Sequence, residues 1–207
     1  MAALVLAVTC ATLQGCKIIS IADETAAEQA KGAGITGRAA QAWTGEGAAY
    51  FAKAAKPVTE VLPAIRANLD DAGRTYGYRQ AAEGAPWTFV VSGSGTVKAK
   101  NTQSRAGTLV VTLDGADPAT DVTLQIGPVV RGNAVRDSLP FISFKDFENQ
   151  LDYADMGKAL NAEALKAIEG PAATLEAGGK VDFVGVISLS SSSEKVLITP
   201  VSLKAGT

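Results

Sequence analysis

From Pro86 onward, apolar side chains recur at every second position in short, separated runs, and this spacing constrains the chain more than any other feature. Trp87, Phe89 and Val91 open the first run, which extends to Lys100. Leu109, Val111 and Leu113 alternate with Thr108 and Thr112 in the second, and Val122, Leu124 and Ile126 alternate with Thr123 and Gln125 in the third. Successive side chains of an extended strand point to opposite faces, so a period of two predicts strands with one buried face. Turn formers bound each run: Asn101 to Arg105, Asp114 to Pro118, and Gly127-Pro128. Three consecutive antiparallel strands in a meander are the natural reading.

A helical stretch interrupts the strands. Ser143-Phe144-Lys145-Asp146 reads as a capping box, after which Phe147, Leu151 and Ala154 share one face. Gly157 weakens the pattern, Asn161 is placed as the cap of a second short helix through Ile168, and Gly170-Pro171 as its end. Two further strands follow, with Val181, Phe183, Ile187 and Leu189 alternating in one and Leu197, Val201 and Leu203 in the other. Ser190 to Glu194 form their turn, and Pro200 marks an edge or a bulge. Three strands, a helical segment and two strands is the element order of a five-stranded OB-type barrel. The expected class is therefore α+β: a five-stranded OB-like antiparallel β-barrel with an inserted helical segment and an N-terminal helical region. A mixed α+β sandwich is the alternative.

Upstream, Val58, Leu62, Ile65 and Leu69 recur at steps of three and four, one face of a helix, with Pro57 and Pro63 as start or kink and Gly73 as stop. Residues 22–49 are rich in Ala, Gly, Glu and Thr and read as a tether leading into helix. Residues 2–13 form an apolar run without charge, too short for a spanning helix of about 20 residues but fitting a signal-peptide core. The run ends at Leu13-Gln14-Gly15-Cys16, the pattern of a bacterial lipobox, in which a small residue precedes the cysteine whose thiol takes up a diacylglyceryl group. Gln14 is bulkier than that pattern prefers and no basic segment precedes the apolar run, so translation is expected to begin upstream. The expected organisation is a signal peptide over 1–15, a lipid-anchored tether over 16–45, a helical region over 46–82, and an OB-like domain over 83–207 with helices at about 143–169.

Composition narrows the function classes. Histidine is absent, which removes the commonest general base near neutral pH and the commonest zinc ligand. Lysine and arginine (19) balance aspartate and glutamate (21) without a basic cluster, and aromatics are 6%, which opposes nucleic-acid binding. The two cysteines are Cys10, inside the apolar run, and Cys16, so a mature chain has its one thiol consumed by lipid and no disulfide. Neither a metal nor a cofactor is implied, and no catalytic residue is assigned. Gly93-Ser94-Gly95 lacks the third glycine of a dinucleotide loop and precedes no helix, so it reads as a bend in a long strand. Of the carboxylate pairs Asp70-Asp71, Asp146 with Glu148, and Asp152 with Asp155, the last alone shares a helical face, and solvated surface is the plainer reading.

The densest polar and aromatic stretch runs from Gln125 to Asn161. Within it Arg131, Arg136, Asp137, Asp146, Asn149 and Gln150 are the candidates for binding a ligand or partner, because arginine beside carboxamides and aromatics suits a sugar, a carboxylate or a peptide carboxyl group. An internal network pinning helix to sheet is the competing and favoured reading. Four segments carry a family resemblance: GCKIISI at 15–21, PWTFVVSGSGTV at 86–97, TQSRAGTLVVTLDG at 102–115, and LQIGPVVRGNAVRDSLPFISFKDFENQLDYADMGKALN at 124–161. Together they resemble predicted bacterial periplasmic lipoproteins, domain of unknown function 2291, over nearly the whole chain. The resemblance implies a lipobox cysteine at Cys16, a periplasm-facing location, and, from neighbouring sugar ABC-transporter genes, an accessory role in carbohydrate uptake. It brings no activity and no further functional residues. Two functions follow as expectations: a non-enzymatic binding or accessory lipoprotein, whose partners are the membrane and a sugar-import component or small sugar ligand, or a carbohydrate- or cell-wall-active enzyme using a pair such as Asp137 and Asp146.

Overall fold

The computed structural model describes residues 21–81, 84–116 and 119–206, with side chains from residue 29 onward. The signal peptide and Cys16 lie outside the described residues. Helix α1 spans Ile21–Ala42 and passes through a π turn, Trp43–Gly47, into α2, Ala48–Ala54. The segment expected as a tether is thus helical over most of its length. Its glycines suggested a flexible link, but Ile35 and Ala39 are buried in a cluster with Met156, Leu160 and Ala164, and this packing offsets their cost. No neighbouring atom lies within 4 Å of a Cβ built at Gly34 or Gly37. Replacing either by alanine is therefore expected to stabilise α1 by about 0.5–1 kcal/mol, read as slower amide exchange across α1.

Helices α3, Val58–Ala67, and α4, Leu69–Tyr76, follow the two-residue strand β1, Lys56–Pro57. Val58, Leu62 and Ile65 are buried as their spacing requires. Asn68 breaks the helix in extended backbone, and its side chain accepts from the backbone N–H of Asp70 and Asp71, capping α4. Gly73 is not the expected stop: α4 runs through it, and a Cβ there would overlap the indole of Trp87, which donates from Nε1 to Asp70 Oδ1 at 2.8 Å. The glycine serves a close approach of helix to sheet.

The main strands are β2, Trp87–Asn101, β3, Thr108–Leu113, β4, Asp121–Gln125, β5, Lys180–Leu189, and β6, Leu197–Ala205. Between β4 and β5 lie α5, Ala134–Asp137, a 3-10 turn, Phe144–Asp146, and α6, Gln150–Thr174. The sheet has six strands, ordered β1-β2-β3-β4-β6-β5, with β5 pairing again with β2. This corrects the expected five antiparallel strands in two ways. β1 is an additional strand, parallel to β2 at Lys56 opposite Val91, and β4 and β6 are also parallel, through Thr123 opposite Leu197. Gly95 and Thr96 are paired on both sides, opposite Val181 and Lys180 of β5 and Leu113 and Thr112 of β3, so the glycine-serine motif lies inside a long strand. The register slips where Ser202 faces Val184 and Pro200 faces Gly185, leaving Val201 as the bulge near Pro200.

Two apolar clusters hold the elements. Phe89, Val91, Leu109, Val111, Leu124, Phe183 and Ile187 belong to one with α3, α4 and the end of α6; Val90, Val186 and Val201 belong to the other with α1, α5 and the first half of α6. At Phe89–Val91 both faces of β2 are therefore buried, where alternation alone predicts one. α6 is one helix of 25 residues rather than two. Asn161 is buried in mid-helix instead of capping, Pro171 is accommodated inside the helix, and Leu151 is 64% exposed rather than buried.

Candidate ligand-binding site

The polar block folds into the segment that carries the chain from β4 through α5 to α6. Gln125, buried at the end of β4, uses its side-chain amide as a backbone partner for the following loop. Its Oε1 accepts from Arg131 N at 2.9 Å, and Nε2 donates to Arg131 O and to Thr199 Oγ1 at 3.3 and 3.0 Å. On the other side Asn161 Nδ2 donates to Gly132 O at 3.0 Å, while its buried Oδ1 has no partner among the described residues. Arg131 is thereby fixed by its backbone, and its side chain is exposed.

Arg136 is buried, and a buried guanidinium must be paired. Its Nε and Nη2 meet Asp137 Oδ1 at 2.8 and 2.6 Å, Nη1 donates to Tyr153 O at 2.9 Å, and the group sits 3.6 Å from the Tyr153 ring centroid. Tyr153 Oη donates to Asp137 Oδ1 at 3.4 Å. Burial pushes the Tyr153 phenol up, against the pull of Arg136, so it is a neutral donor near neutral pH. Gly157 makes room for this network, because a Cβ there would collide with the Asn133 side chain and approach Arg136 Nη1 to 3.3 Å. The glycine that weakened the helical pattern is needed for packing α5 on α6.

Asp146 and Asn149 serve the backbone. Asp146 Oδ2 accepts from Ser143 N at 2.8 Å, completing the expected capping box, although on a single 3-10 turn. Asn149 caps α6, accepting from Asp152 N at 2.9 Å. Of the other acidic pairs, Asp155 is bound to Lys158, and Asp71 to Arg74.

Beside this network lies a cavity of about 600 Å³, within the range of small-ligand sites. It gathers Arg136, Asp137 and Gln150 with Phe144, Lys145, Tyr153, Gln80 and Pro86. Three of the six candidate residues thus share it, whereas Arg131, Asp146 and Asn149 do not line it. Phe144 is 46% exposed and meets Tyr153 edge-on at 5.5 Å. Phe144, Lys145 and Tyr153 stand in the same sequence block and could have been named with the others; Gln80 and Pro86 come from a distant segment without any local signal. A second depression of about 510 Å³, at Ser92, Ser94, Asp114, Asp182 and Lys204, offers hydroxyls, two carboxylates and an ammonium without an exposed ring. No group of three or more metal-ligating side chains occurs among the described residues.

The fold defines the class first: an α+β protein of OB type. A solved OB-fold protein from Thermotoga maritima matches with a TM-score of 0.66 at 15% identity, covering 83% of this chain and 98% of that one. The chain belongs to the family of predicted periplasmic lipoproteins, domain of unknown function 2291, whose model matches residues 6–204. It is accordingly a lipid-anchored, periplasm-facing protein of the cell envelope. Among the described residues no helix is long and apolar enough to cross a membrane. No curated protein matches the chain.

Proposed function

We propose that the protein is a non-enzymatic binding or accessory lipoprotein, anchored through Cys16, that takes a small sugar-like ligand in the Arg136–Tyr153 cavity and serves a sugar ABC-type import system. One observation carries this reading: Asp137 and Asp146 each hold neighbouring partners, while the Phe144 ring and the Gln150 carboxamide stand exposed. Asp137 is held by Arg136 and Tyr153, and Asp146 by the Ser143 backbone. A glycosidase needs one carboxyl group to give a proton and another to act as base or nucleophile, and the partners that Asp137 and Asp146 already hold favour binding over that work. Open rings with amides beside them are what a sugar uses. The finer reading of the sheet, a five-stranded barrel, is supported by the return of the pairing from β5 to β2.

Titrating neutral and acidic sugars into the full acylated chain in detergent, with melting temperature as readout, tests the function, since a ligand in excess of its Kd raises the melting temperature. Stabilisation with the sugar recovered intact is the expected result; turnover would replace this reading with the enzyme. For the anchor, Cys16→Ser is expected to abolish incorporation of labelled palmitate and release the protein from membranes. Incorporation that persists in that variant would move the anchor elsewhere. Two or more acyl chains hold a protein stably at a bilayer because each buried methylene contributes about 0.8 kcal/mol.

A further inference from the structure

We infer that the cavity selects a monoanionic sugar acid of the hexuronate type, and that Lys145 is the residue that sets this preference. The inference deepens the proposed function and rests on the cavity being a small-ligand site. Charge comes first. Arg136 and Asp137 neutralise one another within the wall, so neither is free to hold a charged ligand. Lys145 lines the same cavity, its side chain is exposed, and among the described residues its ammonium has neither an ion pair nor a hydrogen bond; its backbone N–H is engaged by Ser143 Oγ. The lining therefore presents one uncompensated positive charge, which one carboxylate matches and a dianion exceeds.

The remaining groups require more than a simple carboxylic acid. Among the described residues the Gln150 side-chain amide has no partner, Gln80 donates Nε2 to Ile142 O at 2.9 Å and keeps Oε1 open, and Asp137 Oδ2 accepts from no group. A ligand that covered them without hydrogen bonds would leave them desolvated and unpaired. Hydroxyl groups, each donor and acceptor, answer all three. Phe144, Tyr153 and Pro86 supply apolar surface for the C–H faces of a pyranose ring. A ring bearing several hydroxyls and one carboxylate meets the whole set.

The test is isothermal titration calorimetry on the full acylated chain in detergent, with D-glucuronate, D-glucose and dialanine as probes. Glucuronate is expected to bind about tenfold or more tightly than glucose, the scale of a charge-assisted hydrogen bond. The preference should shrink at high salt because Lys145 is solvent-exposed. Lys145→Gln should bring the two sugars to within about twofold, and a native ligand-free melting temperature shows that the variant is folded. Equal binding of the two sugars to the native chain, or a glucuronate preference that survives Lys145→Gln, overturns the assignment while leaving a sugar site in place. Binding of dialanine in place of either sugar overturns the ligand class. Failure of both sugars and the dipeptide to bind overturns the small-ligand reading of the cavity itself.

Discussion

Arg136→Ala is expected to destabilise the protein by about 3–5 kcal/mol, the loss that follows when one member of a buried ion pair is removed. The side chains of Arg136 and Asp137 are 9% and 15% exposed, so water screens the pair little and solvates an orphaned carboxylate poorly. Without the guanidinium, Asp137 retains the long 3.4 Å contact from Tyr153, and the Tyr153 carbonyl loses its side-chain donor. Urea unfolding followed by far-ultraviolet circular dichroism gives the midpoint shift. Replacing the pair together, Arg136→Met with Asp137→Leu, should recover much of the loss, because apolar groups of similar volume need no partners. A native midpoint for Arg136→Ala would mean that the pair is solvated and that α5 is not held to α6 through it.

The second large effect belongs to the other apolar cluster. Phe89 is fully buried in β2 opposite Ile187, and its ring lies against Gly77 at the end of α4. Phe89→Ala removes the ring from between sheet and helix and should cost about 3–5 kcal/mol, the transfer term plus the unfilled cavity. Phe89→Leu keeps most of the volume and should cost less than about 1.5 kcal/mol. Both variants should move the urea midpoint with little change in slope. Equal midpoints for the two would show that the site collapses around the smaller side chain. Neither variant touches the ligand cavity, so their sugar affinity should follow the folded fraction alone.

Much of the fold was legible because period-two patterning survives wherever one face of a strand is buried and the other is wet. Thr108–Leu113 keeps strict alternation, and its boundaries were readable to the residue. Legibility fell where packing covered both faces. Val90 and Val186 are as buried as Phe89 and Ile187, since helices lie on the outer side of β2 and β5. α1 was read as tether because Gly32, Gly34 and Gly37 weaken helix propensity, and no local rule reveals that Ile35 and Ala39 reach Met156 and Leu160. Gly157 and Asn161 looked like breaks in α6; the first makes room for Asn133 and Arg136, and the second holds Gly132.

The cavity divides in the same way. The block from Gln125 to Asn161 contains Arg136, Asp137 and Gln150, but sequence distance could not say which polar groups would be spent on the backbone. Asp146 and Asn149 were spent as caps and Arg131 was placed outside the cavity, each by hydrogen bonds formed within a few residues. A lone lysine carries no pattern, and Lys145 stands out only once Arg136 is found paired with Asp137 in the same cavity wall. By itself the sequence determined the apolar run before Cys16, the order of the main strands and the helical segment between them, because these depend on local composition and periodicity. Tertiary structure alone decided the parallel pairing of β4 with β6, the second buried face, and which side chains remain free around the cavity. Those depend on contacts between distant residues, and the free energy of such contacts is not written in any local window.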